Sequence, residues 1–213
     1  GCVSTLFMSP KGGNCTTVTA SAFSLISAIR GTNTLLIDLC GDVPAAIGMA
    51  EPHGPGINDW LHEDNIGDPH QLVLLGTPVI PGLVVVHRGA RFVNGEPRWN
   101  ALAQAISELP HDVIIDAGTT YVPNALTSAM TNVSMVVKPC YLSLRRASRL
   151  PRPSNVFVVK EENRALTVKD VGNVLGVPVA AEIPYEAAIS RAVDAGLLPA
   201  RVEQLFGNCF SKQ

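Results

Sequence analysis

Apolar and polar positions alternate along this chain with two periods, which predict buried strands and amphipathic helices. The first apolar run is Val3 to Met8, and apolar residues then recur at helical spacing from Val18 to Ile29. Gly31 ends this predicted helix, and a second apolar run follows at Thr34 to Leu39. The pattern therefore predicts a strand, a turn, a helix and a second strand. A right-handed crossover makes the two strands parallel.

The same alternation continues along most of the chain. Further strands are predicted at Leu83 to His87, Asp112 to Asp116, Val133 to Val137, Asn155 to Lys160 and Val177 to Ile183. Helices are predicted at 99–109, 123–130, 142–150, 167–175 and from 189 onward. Strands rich in Val, Ile and Leu that alternate with helices are typical of a sheet buried on both faces. We expect an α/β fold in three layers, with a mostly parallel, twisted sheet of about seven strands and helices on both faces.

Residues 41–82 interrupt the alternation. They contain many glycines and prolines and one short predicted helix near Ile57 to His62. We interpret this stretch as an insertion or a mobile loop region. The chain of 213 residues is long enough for one sizeable core, and no repeat or linker divides it. We therefore expect a single domain over residues 1–213.

Composition and charge narrow the classes of protein to which the chain can belong. Hydrophobic residues make up 46% of it and charged residues 16%, with a formal net charge of −2. These values exclude a disordered chain and argue against nucleic-acid binding over the whole surface. The five cysteines form no CxxC or CxxH pair, which argues against a structural zinc site and a disulfide framework. We expect reduced thiols in a cytoplasmic protein, and no apolar run reaches the ~18 residues that cross a membrane.

Three features gather at the carboxyl ends of the predicted strands, where open parallel sheets bind their ligands. The first is the glycine-rich turn from Lys11 to Thr17, whose backbone N–H groups and following helix N-terminus suit phosphates. The other two are Asp38 and Asp116, each of which ends a strand. Acids in these positions can hold Mg²⁺ through water or orient an attacking water.

These features occur in motifs that resemble those of one family. The turn Lys11-Gly12-Gly13-Asn14-Cys15-Thr16-Thr17 resembles the deviant Walker A loop of the ParA/MinD family of P-loop ATPases, Lys-Gly-Gly-x-Gly-Lys-Thr-Thr. Leu35 to Asp38 is similar to the family's second-strand motif, and Asp112 to Asp116 is similar to its Walker B-like strand. Val177 through Gly196 is similar to its C-terminal signature of a strand, Ile-Pro and a helix. The four landmarks stand in the family's order and cover nearly the whole chain.

The resemblance implies a P-loop NTPase fold that binds ATP or ADP with Mg²⁺ and forms a nucleotide-dependent homodimer. It implies cofactor-binding roles for Gly12, Gly13, Asn14, Cys15, Thr16, Thr17 and Pro184. It implies that Thr17 and Asp38 serve the metal. In the family's catalytic roles, Lys11 would reach the partner subunit's phosphates, Asp38 would position water and Asp116 would sense the γ-phosphate.

The loop departs from the family pattern because the P-loop lysine is missing. Without a gap, Cys15 stands at the second glycine and Thr16 at the lysine. With a one-residue deletion, Thr16 and Thr17 match the threonine pair instead. Losing a charge-assisted phosphate contact should cost roughly 1.5–3 kcal/mol of binding. We expect weakened nucleotide binding and slow or lost hydrolysis, because the transition state carries more exposed phosphoryl charge.

A second departure concerns the acids. The family's second acid, two residues beyond the first, is Cys40 here. Asp42 lies two residues further on and could substitute, but a shift of that size moves a side chain by several ångströms. Ala-Gly-Thr follows Asp116, so the usual switch position has no proline.

On these grounds we expect a ParA/MinD-like dimeric switch that positions, partitions or assembles an unknown partner. One alternative is a pseudo-ATPase, in which the same fold is a scaffold that regulates a partner ATPase without turnover. A second alternative is a metabolic enzyme of the wider superfamily, such as a dethiobiotin-synthetase-like ligase, which would need an intact phosphate loop. Whether the chain is an enzyme is therefore left open.

Two further segments bear on partners. A basic stretch without acids contains Arg145, Arg146, Arg149 and Arg152. It predicts either a solvated helix face or a surface for DNA or an acidic partner. The apolar segment from Leu205 to Phe210 is interrupted by Gly207, so it does not match the amphipathic basic helix of membrane-binding relatives.

Overall fold

The computed structural model describes residues 2–13, 15–63, 68–90 and 94–210. Its sheet has eight strands. They are β1 (Ser4–Met8), β2 (Thr34–Asp38), β3 (Thr77–Ile80), β4 (Leu83–Val86), β5 (Asp112–Gly118), β6 (Asn132–Val137), β7 (Asn155–Lys160) and β8 (Val179–Pro184).

Helices connect most of these strands. They are α1 (Thr16–Ile29), α2 (Val43–Ile47), α3 (Ile57–Leu61), α4 (His70–Leu74), α5 (Trp99–Glu108), α6 (Asn124–Thr127), α7 (Tyr141–Ala147), α8 (Val168–Leu175), α9 (Ala187–Asp194) and α10 (Leu198–Phe206). Within the described residues, no helix is both long and apolar enough to span a bilayer.

The strands lie in the order β3-β4-β2-β5-β1-β6-β7-β8. Seven of them run parallel, and β3 at one edge pairs antiparallel with β4. The predicted α/β fold with a mostly parallel sheet is confirmed, and the eighth strand is the antiparallel edge strand. The central strand β1 lies between β5 and β6, so the turn that follows it reaches the middle of the carboxyl edge.

Successive residues of each strand face opposite sides of the sheet, which creates two covered faces. In β1, Phe7 packs with α1, α2, α9 and α10 on one face, whereas Leu6 packs with α3, α5 and α6 on the other. A third cluster lies between α7, α8 and the strands β6 and β7. Because both faces are buried, the strands are apolar along most of their length, which is the pattern that made them predictable.

The region 41–82 differs from the expected loop. Its described residues contain α2, α3, α4 and β3, and Trp60 and Leu72 are buried in the core. The three helices have five residues each, too few to show a helical period, and β3 is a mostly exposed edge strand with Pro78 in it. For these reasons the pattern of apolar positions did not reveal α2, α4 or β3, although it revealed α3, which matches the short helix predicted near Ile57 to His62. The segment 64–67 lies outside the described residues.

Trp60→Ala tests whether this region belongs to the core. Trp60 is 2% exposed, so we expect the substitution to lower the free energy of unfolding by about 3–5 kcal/mol. Leu74→Ala is the control in the same region, because Leu74 is 80% exposed and should change stability by less than about 0.5 kcal/mol. Urea denaturation followed by circular dichroism measures both. Equal, small effects would show that residues 41–82 contribute nothing to the core.

Candidate functional site

The candidate site lies where β1, β2 and β5 end. Asp38 and Asp116 are paired neighbours in the register of β2 and β5. β1 lies on the other side of β5, and the turn after it enters α1 at Thr16. The sheet order therefore brings Thr17 at the start of α1 to Asp116, which lies beside Asp38, although the three residues are far apart along the chain.

The turn between β1 and α1 contains two residues in the left-handed backbone region. Gly13 has φ 78° and Cys15 has φ 62°. A left-handed conformation favours glycine and is uncommon for cysteine. Cys15 is also the residue before α1, and its carbonyl oxygen accepts hydrogen bonds from the backbone N–H and the hydroxyl of Thr19. Asn14 lies outside the described residues.

Four side chains form one hydrogen-bonded group, which we call the acid–thiol cluster: Thr17, Asp38, Cys40 and Asp116. The Thr17 hydroxyl donates to Oδ2 of Asp116 at 2.7 Å. The Cys40 thiol lies 3.1 Å from the same oxygen and 3.3 Å from Oδ1 of Asp38. Cys40 therefore bridges the two acids, a contact that sequence reasoning missed.

Backbone groups hold both carboxylates in place. Asp38 accepts N–H groups from Cys40 at 3.1 Å, Gly41 at 2.8 Å and Val43 at 3.2 Å. These bonds fold the chain after β2 into the first turn of α2. Asp116 accepts the N–H of Gly118 at 3.1 Å. The acids are thus fixed by the strand ends and the turns that follow them.

The cluster is electrostatically unusual because both carboxyl groups are 0% exposed. Among the described residues, neither acid forms an ion pair with a basic side chain. Burial raises the pKa of Asp38 and of Asp116, and hydrogen bonds to each oppose this only in part. Burial, followed by the charges of the two acids, also raises the pKa of the Cys40 thiol. The arrangement favours a protonated Cys40 thiol, and added positive charge would stabilise the two carboxylates.

A cleft of about 570 Å³ opens above the cluster. Most of the residues predicted to bind the cofactor line it, namely Gly12, Gly13, Cys15, Thr16 and Thr17, and so does Lys11, which was predicted to reach the partner subunit's phosphates. Cys40 and Asp42 also line it, whereas the buried acids lie beneath. Asp42 is exposed, and its backbone, rather than its carboxyl group, forms a hydrogen bond with the Cys40 thiol. Pro184 is not a lining residue; it ends β8, three strands from β1 at the same edge of the sheet.

A second charged group flanks the turn on the side of β6. Lys138 directly follows β6, and its ammonium lies 3.2 Å from a carboxyl oxygen of Glu161 and 5.1 Å from the centre of the Tyr185 ring. Burial raises the pKa of the Cys15 thiol, and the charge of Lys138 acts in the opposite direction. Sequence reasoning missed this lysine. It directly follows a predicted strand, at the carboxyl edge where parallel sheets bind ligands, and this position could have identified it.

The basic stretch takes no part in lining the cleft. Arg145 and Arg146 lie on α7, and Arg149 and Arg152 follow it; all four are exposed. None of them forms an ion pair with a described acid. The helix ends at Ala147 rather than at Leu150, so the four side chains do not share one helical face.

The fold matches that of solved ATPases. The chain is similar to a ParA family ATPase from Chlorobium tepidum TLS, with TM-score 0.78, 22% identity and coverage of 96% of this chain and 91% of that one. It is similar to MinD in the MinC:MinD complex from Aquifex aeolicus, with TM-score 0.73, 17% identity and coverage of 100% and 98%. It is also similar to MinD complexed with Mg-ADP from Pyrococcus horikoshii OT3, with TM-score 0.73, 14% identity and coverage of 96% and 90%.

These similarities show that the chain has the fold of the ParA/MinD ATPases. The resemblance inferred from the motifs is therefore confirmed at the level of the fold. No family model matches the sequence, and no curated protein does.

Asp116→Asn, in metal-free protein, tests the buried charge of the cluster. Because the pKa of Asp116 is raised in the folded state, the folded protein binds this proton more tightly than the unfolded chain does. The wild-type free energy of unfolding should therefore fall as the pH rises from about 4 through the folded-state pKa. We expect the variant to be more stable than the wild type near pH 7, with the difference shrinking towards pH 4. Urea denaturation across this range measures it.

Asp170→Asn is the control with the opposite sign. Hydrogen bonds with Thr167 at the start of α8 hold the pKa of Asp170 below its ordinary value. The stability that ionised Asp170 contributes is fully present above its unfolded-state pKa and is lost as the pH falls through its folded-state pKa. This variant should be less stable than the wild type near neutral pH and should approach it in acid. If both variants shift stability in the same direction, the buried-charge account is wrong.

Proposed function

We propose that this chain is a nucleotide-binding switch that takes ATP or ADP with Mg²⁺ in the cleft, dimerises, and directs the positioning, partitioning or assembly of a partner, with slow or absent hydrolysis. One observation carries the proposal: in a ParA/MinD fold, a glycine-containing strand-to-helix turn and two strand-end acids converge on one cleft. Known proteins of this fold include MinD with Mg-ADP and MinD in complex with MinC.

The donor atoms of the cluster fit a magnesium ion in part. A hydroxyl and carboxylates are the hard oxygen ligands that Mg²⁺ prefers, and Thr17 and Asp38 are the residues that would hold it. When bound, the ion would neutralise phosphate charge. Two buried acids without a basic partner among the described residues support a cation at this place.

The backbone at Cys15 supports one of the two loop registers. The family's pattern has a glycine before Lys-Thr-Thr, and Cys15 has a left-handed conformation that favours glycine. Helix α1 then begins at Thr16. In the ungapped register Thr16 replaces the loop lysine, and Thr17 is the first threonine, with its hydroxyl on Asp116.

Lys138 is our proposed substitute for the missing lysine. It follows β6, the strand beside β1, so it flanks the phosphate turn. Its ion pair with Glu161 and its contact with the Tyr185 ring hold a half-buried cation near the turn. Release from Glu161 would let the ammonium contact nucleotide phosphates, because a multiply charged phosphate competes well for a cation.

The carboxyl edge also offers a surface for a second copy. Three exposed tyrosines follow the strands there: Tyr121 after β5, Tyr141 after β6 and Tyr185 after β8. Exposed aromatic side chains around a binding cleft are typical of interfaces. Their position supports a dimer in which Lys11 reaches the partner's nucleotide.

A pseudo-ATPase is the second candidate function. Cys40 occupies the position of the family's second acid, and its thiol donates to both remaining acids. A protonated thiol is a poor group for activating water. This observation favours a scaffold that binds nucleotide without turnover, or a surface that recognises a partner ATPase.

Nucleotide titration beside a turnover assay tests the proposed function. We expect ATP to bind the full chain, binding to strengthen with Mg²⁺, and turnover to be slow or absent. Thr17→Val should remove most of the Mg²⁺ effect, because it deletes the hydroxyl next to Asp116. Thr32→Val, in the turn that follows the other end of α1, is the matched control and should leave binding unchanged.

Two results would contradict the proposal in different ways. If neither ATP nor ADP binds with or without Mg²⁺, the chain is not a nucleotide switch. If the pure protein shows fast, Mg²⁺-dependent ATP turnover that disappears in Lys11→Ala, the missing loop lysine does not impair catalysis.

Lys138→Gln tests the substitute cation. We expect ATP affinity to fall by at least about tenfold, while binding of adenosine stays unchanged, because only the phosphates meet the ammonium. Lys160→Gln is the control: it removes the same charge from an exposed lysine at the end of β7 that lies 3.9 Å from Glu182. Isothermal titration calorimetry measures both. Equal losses of ATP affinity would mean that Lys138 acts only through net charge.

A further inference from the structure

The acid–thiol cluster contains a sulfur atom where the other donors are oxygens. One ligand atom each from Asp38, Cys40 and Asp116 lies within 4.8 Å of the others. The hydroxyl oxygen of Thr17 lies 3.6 Å from the sulfur and 2.7 Å from Asp116. Four potential ligands of mixed type thus converge on one point.

The spacing is close to that of a tetrahedral site. With zinc–sulfur bonds of about 2.3 Å and zinc–oxygen bonds of about 2.0–2.2 Å, sulfur and oxygen ligands stand about 3.5 Å apart. The Cys40 sulfur is 3.1 Å and 3.3 Å from the two carboxyl oxygens. An opening of a few tenths of an ångström would bring the sulfur to the required separation from both carboxyl oxygens, which themselves lie within 4.8 Å of each other.

Charge supplies an independent argument. Both acids are fully buried, and no described basic side chain forms an ion pair with either of them. A divalent cation would compensate two carboxylates that otherwise repel each other across adjacent strand ends. Cys40 and Thr17 line the cleft, so an ion has a route from solvent to the acids.

We propose that the acid–thiol cluster is a mixed sulfur–oxygen metal site that binds a thiophilic divalent cation such as Zn²⁺ in preference to Mg²⁺. Thiolates select zinc-like ions, whereas carboxylates and water suit magnesium. Binding replaces the proton of the Cys40 thiol by the metal, and the proton leaves to solvent. No oxidant or reductant is needed.

The metal would occupy the proposed nucleotide site, and its role there rests on the proposed function. The binding itself can be measured without nucleotide. Nucleotide-bound Mg²⁺ is held mainly by phosphates, so both ions can serve the same cleft in different states. The replacement of the family's second acid by Cys40 would then change which metal the site prefers, as well as its catalytic power.

Cobalt titration of the metal-free full chain tests the site. Co²⁺ reports a thiolate ligand through a sulfur-to-cobalt charge-transfer absorption band in the near ultraviolet. We expect the band to saturate at one equivalent, to disappear in Cys40→Ser, and to persist in Cys15→Ser. Cys15 is the matched control because it is the other cysteine that lines the cleft. Zn²⁺ should displace the cobalt, and a hundredfold excess of Mg²⁺ should not.

Circular dichroism of each variant confirms that it folds, and Cys40→Ser changes only one atom. Asp116→Asn gives a second measurement: it should keep a thiolate band but weaken cobalt affinity by tenfold or more. Absence of the band, its survival in Cys40→Ser, or displacement by Mg²⁺ at concentrations similar to Zn²⁺ would overturn the proposal. ATP titration of the same samples separates this result from a failure of nucleotide binding.

Discussion

Two carboxyl groups buried side by side are the constraint on which the site depends. Asp38 ends β2, Asp116 is paired with it two residues before the end of the adjacent strand β5, and neither has exposed surface. Burying a charge is costly unless hydrogen bonds and opposite charges compensate it. Here backbone N–H groups, a hydroxyl and a thiol supply the hydrogen bonds, and the positive charge must come from a proton or a bound cation.

This constraint connects the two departures from the family pattern. A carboxylate in the place of Cys40 would put a third negative charge between Asp38 and Asp116, at hydrogen-bonding distance from both. In the ungapped register, Thr16 stands at the position of the family's loop lysine, so this position would supply no positive charge to offset it. The Cys40 thiol lies within hydrogen-bonding distance of both acids and adds no charge. In that register the neutral residues Thr16 and Cys40 replace one positive and one negative charge, so the net charge of the two positions together is unchanged.

Much of the fold could be predicted from the sequence, because its main signals are local. The runs that form β1, β2 and β5 are mostly apolar, and the predicted end of β2 at Asp38 is observed, whereas β5 continues two residues beyond Asp116 to Gly118. In the region 41–82 only α3 was predicted, and α2 and α4 were missed because helices of five residues are too short to show a period. The contact of Lys138 with Glu161 joins the ends of β6 and β7, which are distant in sequence, so only the sheet order reveals it.

Helix α2 connects the acid–thiol cluster to the turn that follows α9. Three backbone N–H groups that lead into this helix are bonded to Asp38, so the carboxylate cannot move without the first turn of α2. At its other end, Gly48 packs so closely on the turn between α9 and α10 that an added Cβ would lie 2.7 Å from the carbonyl oxygen of Gly196. Because interiors are closely packed, a shift of α2 towards this turn would require the turn to shift as well.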